Sequence, residues 1–230
     1  MSGRSPRWFT GIQYPYEANF ADNTWAQIIK ACQKNHIPST WKVADQKAMT
    51  IGDNDYMIDI IGINHDIYNA GGTAPLTFQL HDCYADTKQM NSSHTNVGGW
   101  VSCAMRQTHL PAILALMPTE VKNSIREVNK LTSAGDQSAT INTTADKLFL
   151  LSEVEIFGST TNSAAGEGTQ YDYYKAGNSK VKNKNGSAAT WWDRSPYDGN
   201  TGSFCMVGSR GRTGTTGAGN ARGVAFGFCF

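Results

Sequence analysis

Two His-Asp dipeptides, His65-Asp66 and His81-Asp82, are the first residues in this chain that could do chemistry. Metal phosphohydrolases use such a pair, placed on a helix and joined by distant histidines. Here His65 follows an apolar run and His81 closes one, which reads as polar residues at strand ends. Three metal ligands at a recognisable spacing are absent. Cys103 lies shortly before His109, but in a helical context their side chains fall more than a turn apart. A buried helix cysteine is expected there, not an activated nucleophile. Glu153 and Glu155 diverge on a helix and share a face on a strand; capping and interaction with a helix dipole account for both. Asn91, Asn96 and Asn200 offer oxygen ligands for calcium, but no Asp-rich loop supports them. No metal and no cofactor is expected.

Five cysteines, Cys32, Cys83, Cys103, Cys205 and Cys229, form no C-x-x-C pair and are odd in number. Buried free thiols acting as small hydrophobes are the expectation. Cys205 and Cys229 both sit in C-terminal strands, which leaves a disulfide between them open but unforced.

The elements that position these residues follow from periodicity. Trp25, Ile28, Ile29 and Cys32 make one apolar helical face that Asn23 can cap, and His36-Ile37-Pro38 ends it. The β-branched run Asp55–Ile63 predicts a core strand, Gly71-Gly72 a turn, and Leu76–Leu80 a half-buried strand. Helical segments are expected from Gly99 through Met105, from Pro111, and from Pro118 with Val121, Ile125 and Val128 inward. The small polar residues 132–144 read as a loop and 147–151 as a short buried strand. Ser152 and Glu155 match a capping box, 158–168 reads as a loop, and 178–187 as a solvated hairpin or loop.

At the C-terminus, Val224, Phe226, Phe228 and Phe230 alternate with small residues, predicting a strand with aromatics inside and Ala225, Gly227 and Cys229 outside. Trp191-Trp192 and Ser203–Val207 read as its neighbours. Only one of two adjacent strand residues faces a given core, so one of the two tryptophans is expected there. The Gly/Ser/Thr-rich stretches 195–202 and 208–220 cannot pack alone and must be displayed by the strands. Tyr197, Phe204, Arg210 and Arg212 are the leading interface candidates, because Tyr and Arg dominate binding hot spots. Asp198, Asn200, Ser209, Thr213 and Asn220 complete the candidate ligand face.

The 20 basic and 19 acidic residues nearly cancel, leaving no field for a phosphate backbone, so no nucleic-acid partner is expected. No apolar run reaches membrane-spanning length, which predicts no membrane insertion. The polar N-terminal residues lack the apolar core of a secretory signal.

Several motifs in order carry a resemblance: Met90-Asn-Ser-Ser with Asn96-Val-Gly-Gly-Trp100 and Met105-Arg106, then Lys147 to Gly158, Trp191 to Pro196, and Arg222 to Cys229. Together they resemble a family of unknown function, number 6273, common in gut bacteria and their phages, from about Trp25 to the end. That family looks related to C-type lectin-like folds, as in phage receptor-binding proteins diversified by retroelements and in formylglycine-generating enzymes. The resemblance implies an α+β domain over 23–230, a twisted antiparallel sheet flanked by helices with long loops, preceded by an arm over 1–22. It also implies a C-terminal binding face whose variable positions fall between Tyr197 and Asn220. Asp193 stands where the family usually carries an apolar residue, which either only re-aims a loop or places a carboxylate near that face. The calcium- and sugar-binding triplets of C-type lectins are absent.

The function so implied is non-catalytic attachment to a bacterial surface protein or glycan by a homo-oligomer, trimeric in some relatives, at a virion tail or a bacterial cell surface. An enzyme with a formylglycine-generating-like site and a virion structural or decoration protein are the rival readings.

Overall fold

The computed structural model describes residues 16–230. Its first helix, α1 (Trp25–Gln33), buries Trp25, Ile28, Ile29 and Cys32 as the periodicity requires. The cap is Thr24, which exchanges hydrogen bonds with Gln27, and not Asn23. Asn23 is instead a buried bracket whose amide holds the carbonyls of Glu17, Asn19 and Phe20.

The main sheet runs in the order β1 (Gln46–Ile51), β2 (Asn54–Ile63), β3 (Leu76–Leu80), β11 (Gly227–Cys229), all antiparallel. The aromatic core gathers on Phe78, with the rings of Phe20, Trp25, Phe228 and Phe230 at 6.3, 5.9, 5.3 and 5.4 Å. Burial of these rings dominates the stabilisation of the layer. Phe20 belongs to the proposed N-terminal arm yet is buried in this core; residues 1–15 of that arm lie outside the described residues.

Strand β3 is buried along its whole length, not half-buried, because its polar residues find partners inside. The Thr77 hydroxyl donates to Asp66 at 2.6 Å, and Gln79 donates to the Ala225 carbonyl and accepts from Tyr174. Both faces of 224–230 are likewise covered, so Ala225, Gly227 and Cys229 are as buried as the aromatics. Strand β11 pairs with β3 and not with the tryptophan strand.

That strand, β8 (Trp191–Pro196), forms a separate antiparallel sheet with β9 (Ser203–Val207) and β10 (Thr213–Gly217), in the order β10-β9-β8. Both Trp191 and Trp192 are fully buried, one on each side of β8. Their indole N–H groups donate to the carbonyls of Lys180 and Lys88. Strand β10 falls inside the stretch expected to be loop.

Short helices connect the sheets: α2 (Gly99–Ser102), a π turn over Met105–His109, α3 (Leu110–Leu116) and α4 (Thr119–Ser124). Val128 is buried as expected, but it opens a strand and not a helical turn. The polar run 132–144 is largely a hairpin, β4 (Val128–Ser133) with β5 (Ile141–Asp146). Residues 147–151 are buried apart from Lys147, but they make only a single bridge, Phe149 to Gly227. Helix α5 (Glu153–Phe157) starts at the predicted Ser152/Glu155 capping box, and α6 (Asp172–Lys175) lies against β2. A last hairpin joins β6 (Lys182–Lys184) to β7 (Ser187–Ala189). Its Lys182 is buried rather than solvated, donating to the carbonyls of Leu80 and His81.

Candidate functional site

The middle of β8 leaves the ladder. Between Trp192 and Pro196 its register against β9 shifts, and Asp193-Arg194-Ser195 turn inward. Arg194 is fully buried and spends its whole guanidinium. It donates to Thr132 Oγ1 and to the carbonyls of Leu131, Leu150 and Glu167, and forks across both carboxylate oxygens of Glu155. Lys130 Nζ lies 2.7 Å from Glu155 and 2.8 Å from Asp66, and also donates to Tyr171 at 2.9 Å. Burial works to raise the Glu155 carboxyl, but Arg194 and Lys130 outweigh it and hold the group below its ordinary value. At Asp66 burial is likewise outweighed, by Lys130 and the Thr77 hydroxyl. Glu155 is therefore an ion-pair centre, beyond the capping role expected of it, and His65-Asp66 supplies a structural carboxylate.

Three further carboxylates surround this frame. Glu153 accepts from the Asn162 and Ser163 N–H groups at 2.8 and 2.9 Å, from both their side chains, and from the Thr213 hydroxyl. Glu167 accepts from Ser133 N at 2.8 Å and from the Ser195 hydroxyl; burial pushes its carboxyl up to about 7. Asp193 accepts from Ser195 N at 2.9 Å through one oxygen, while the other is buried without a partner among the described residues. Burial holds this carboxyl well above the ordinary carboxylate range. Asp193 therefore does not reach the binding face. Phe204 is fully buried as well, packed in the sheet. The Thr213 hydroxyl is engaged by Glu153 and Asn162. Asp193 and Phe204 are thereby corrected from ligand contacts to frame, while Thr213 stays half-buried with its hydroxyl occupied.

The remaining candidates separate into two groups. Strand β9 lies between the loops 197–202 and 208–212, so Tyr197, Asp198 and Asn200 sit at one end of the small sheet and Ser209, Arg210 and Arg212 at the other. Asn220 joins the first end, because Ala218 N bonds the Gly202 carbonyl.

That first end is locked from below by a residue the sequence reading had set aside. Asn96 is fully buried, and its amide donates to the carbonyls of Tyr197, Asn200 and Ser203 at 3.2, 2.8 and 2.8 Å. Its side-chain oxygen accepts from Asp136 N, and its backbone N–H bonds the Thr201 carbonyl at 2.7 Å. Gly98 and Gly99 follow with φ of +81° and +52°, the left-handed geometry glycine permits; the buried Trp100 anchors the turn. Above this bracket Asp198, Gly199, Asn200 and Thr201 are exposed. The Tyr197 ring folds onto Gly199, where a Cβ would meet it at 2.3 Å, and the His94 ring lies on Gly217 at 2.1 Å from such a Cβ. The signal for Asn96 was its place in the Asn-Val-Gly-Gly-Trp motif; His94 left none.

All five cysteines are free and buried. Burial raises Cys83 to about 11 and Cys32 and Cys103 to about 12, and pushes Cys205 and Cys229 well above the ordinary thiol value. Cys205 and Cys229 lie on different sheets and do not pair. Among the described residues, Arg222 meets the Ala221 carbonyl and Thr216 and no carboxylate. Among the described residues, no three His, Cys, Asp or Glu side chains are placed to hold a metal, and no helix is long and apolar enough to cross a membrane.

The molecule is thus a mixed α+β domain in which buried ion pairs brace a small antiparallel sheet, and a bracketed loop is displayed at its end. The chain belongs to the family described as Domain of unknown function (DUF6273), which it matches over residues 75–229. No curated protein and no solved structure matches it.

Proposed function

We propose that this is a non-catalytic ligand-binding domain of C-type lectin-like architecture, acting as a tail-associated phage protein that attaches to a bacterial surface through the 197–202 loop and Asn220. The observation that carries this reading is the Asn96 bracket. It fixes the loop backbone from inside, while the exposed Asp198 and Thr201 side chains make no hydrogen bond among the described residues. A loop held in one conformation loses little entropy on binding, which favours recognition. The burial and raised pKa of the five thiols support binding over a cysteine-dependent enzyme.

The test uses fluorescently labelled protein against a panel of gut bacterial cells by flow cytometry. The Asp198→Ala/Thr201→Ala variant should melt like the parent and fail to label strains that the parent labels. Equal labelling by the variant, or no labelling of any strain by the parent, would overturn the proposal.

A further inference from the structure

A concave site lies away from the 197–202 loop, between the β1–β2 and β6–β7 hairpins. It is a cavity of about 300 Å³, lined by Asn54, Asp55, Tyr56, Met57, His81 and Asp82 with Asn183 and Asn185. Its size is at the lower end of the range for small-molecule sites.

The wall is built and held rigid. His81 is oriented by the buried carboxylate of Asp59, with Nδ1 2.9 Å from its nearer oxygen. Asp59 is fixed in turn by Gln46 at 2.8 Å and by the Tyr173 hydroxyl. Tyr56 stacks on Tyr84 with ring centroids 5.6 Å apart and accepts from Ala85 N. Asp82 spends one oxygen on Asn183 N at 2.6 Å.

The polar groups left over face the cavity's chemistry unspent. Among the described residues, the side chains of Asn54, Asn183 and Asn185, the second oxygen of Asp82 and the His81 Nε2 make no hydrogen bond to protein. No Lys or Arg is in the lining, so the site lacks the cations that phosphate or carboxylate ligands require. The amides offer donors and acceptors together, and His81 Nε2 adds a further polar group, which is what hydroxyl groups need. Tyr56, Met57 and Ala85 supply an apolar strip beside them. Met57 is 41% exposed, so its side chain is accessible to a ligand in the cavity.

From this juxtaposition of unspent amides, an oriented histidine and an apolar strip, we infer that the cavity binds a neutral saccharide unit. The site is independent of the 197–202 loop, and neither reading depends on the other.

The experiment follows side-chain amide signals of Asn54, Asn183 and Asn185 by NMR in the full chain. The probes are methyl β-glucoside, methyl β-galactoside, methyl α-mannoside and methyl N-acetyl-β-glucosaminide, with inorganic phosphate and ethanolamine as anionic and cationic counter-probes. At least one glycoside should shift these signals saturably with Kd on the order of 1 mM, and Asn183→Ala or the exposed-site variant Asn54→Ala should weaken it about tenfold. The inference is overturned if no glycoside does so, if only a counter-probe does, if neither substitution matters, or if glycosides shift only the 197–202 amides. The last outcome would leave the attachment proposal standing.

Discussion

Arg194 and Glu155 meet as fork to fork at the centre of the molecule, with Arg194 Nη2 3.0 Å from Glu155 Oε1 and Nη1 on Oε2. The pair joins β8 to α5, and through Lys130 and Asp66 it reaches the hairpin β4–β5 and the main sheet. A buried pair of this kind contributes little over an apolar substitute of the same shape, but breaking it leaves a charge unpaired.

Replacing Arg194 by Met should therefore destabilise the domain by about 3–5 kcal/mol in urea unfolding. Arg194→Lys should not rescue it, because one ammonium cannot reach the six acceptors that the planar fork serves.

Asp193 gives the opposite expectation. Its folded carboxyl lies well above its unfolded value, so folding takes up a proton and stability is lost as pH rises from about 4 upward. Asp193→Asn removes that titration. Above about pH 4 the variant should become the more stable, with the difference growing by up to about 1.4 kcal/mol per pH unit until the folded carboxyl ionises. A parallel pH dependence in the two proteins would contradict the burial argument.

Glu167 titrates in the same sense. Its carboxyl is raised from 4.5 to about 7, so its contribution to stability is full below pH 4.5 and falls until about pH 7. Glu167→Gln should flatten that part of the stability curve, read by thermal unfolding across pH, while Asp193 still shapes the rest.

Asn96→Ala removes the bracket. Loss of its buried amide should cost about 2 kcal/mol and speed hydrogen exchange at Gly202 and Tyr197 far more than in β3. Unchanged exchange at those amides would mean that the loop holds itself.

Much of this frame was legible where the signal is local. The Ser152/Glu155 capping box, the α1 face and the β-branched run of β2 each depend on neighbours within a turn or on alternation along a strand. What was not legible depends on partners far away in the chain. Thr132 and Thr144 look like loop residues, yet are buried because Arg194 and Asp146 occupy their hydroxyls. Lys182 reads as a solvated charge until its two carbonyl partners are seen. Candidate site residues were half legible for the same reason. Asp198 and Arg210 are near in sequence but separated by the length of β9, and Asp193 turns inward at a register shift that alternation does not announce. Asn96, which binds the loop together, stands about a hundred residues before it.

The two ends of the small sheet permit the most direct test of the attachment account: bacterial-cell labelling by Asp198→Ala/Thr201→Ala beside Arg210→Ala/Arg212→Ala. The account predicts that the first variant loses labelling and the second keeps it, both with parental melting temperatures. Loss confined to the arginine variant, or labelling unchanged in both, would contradict it.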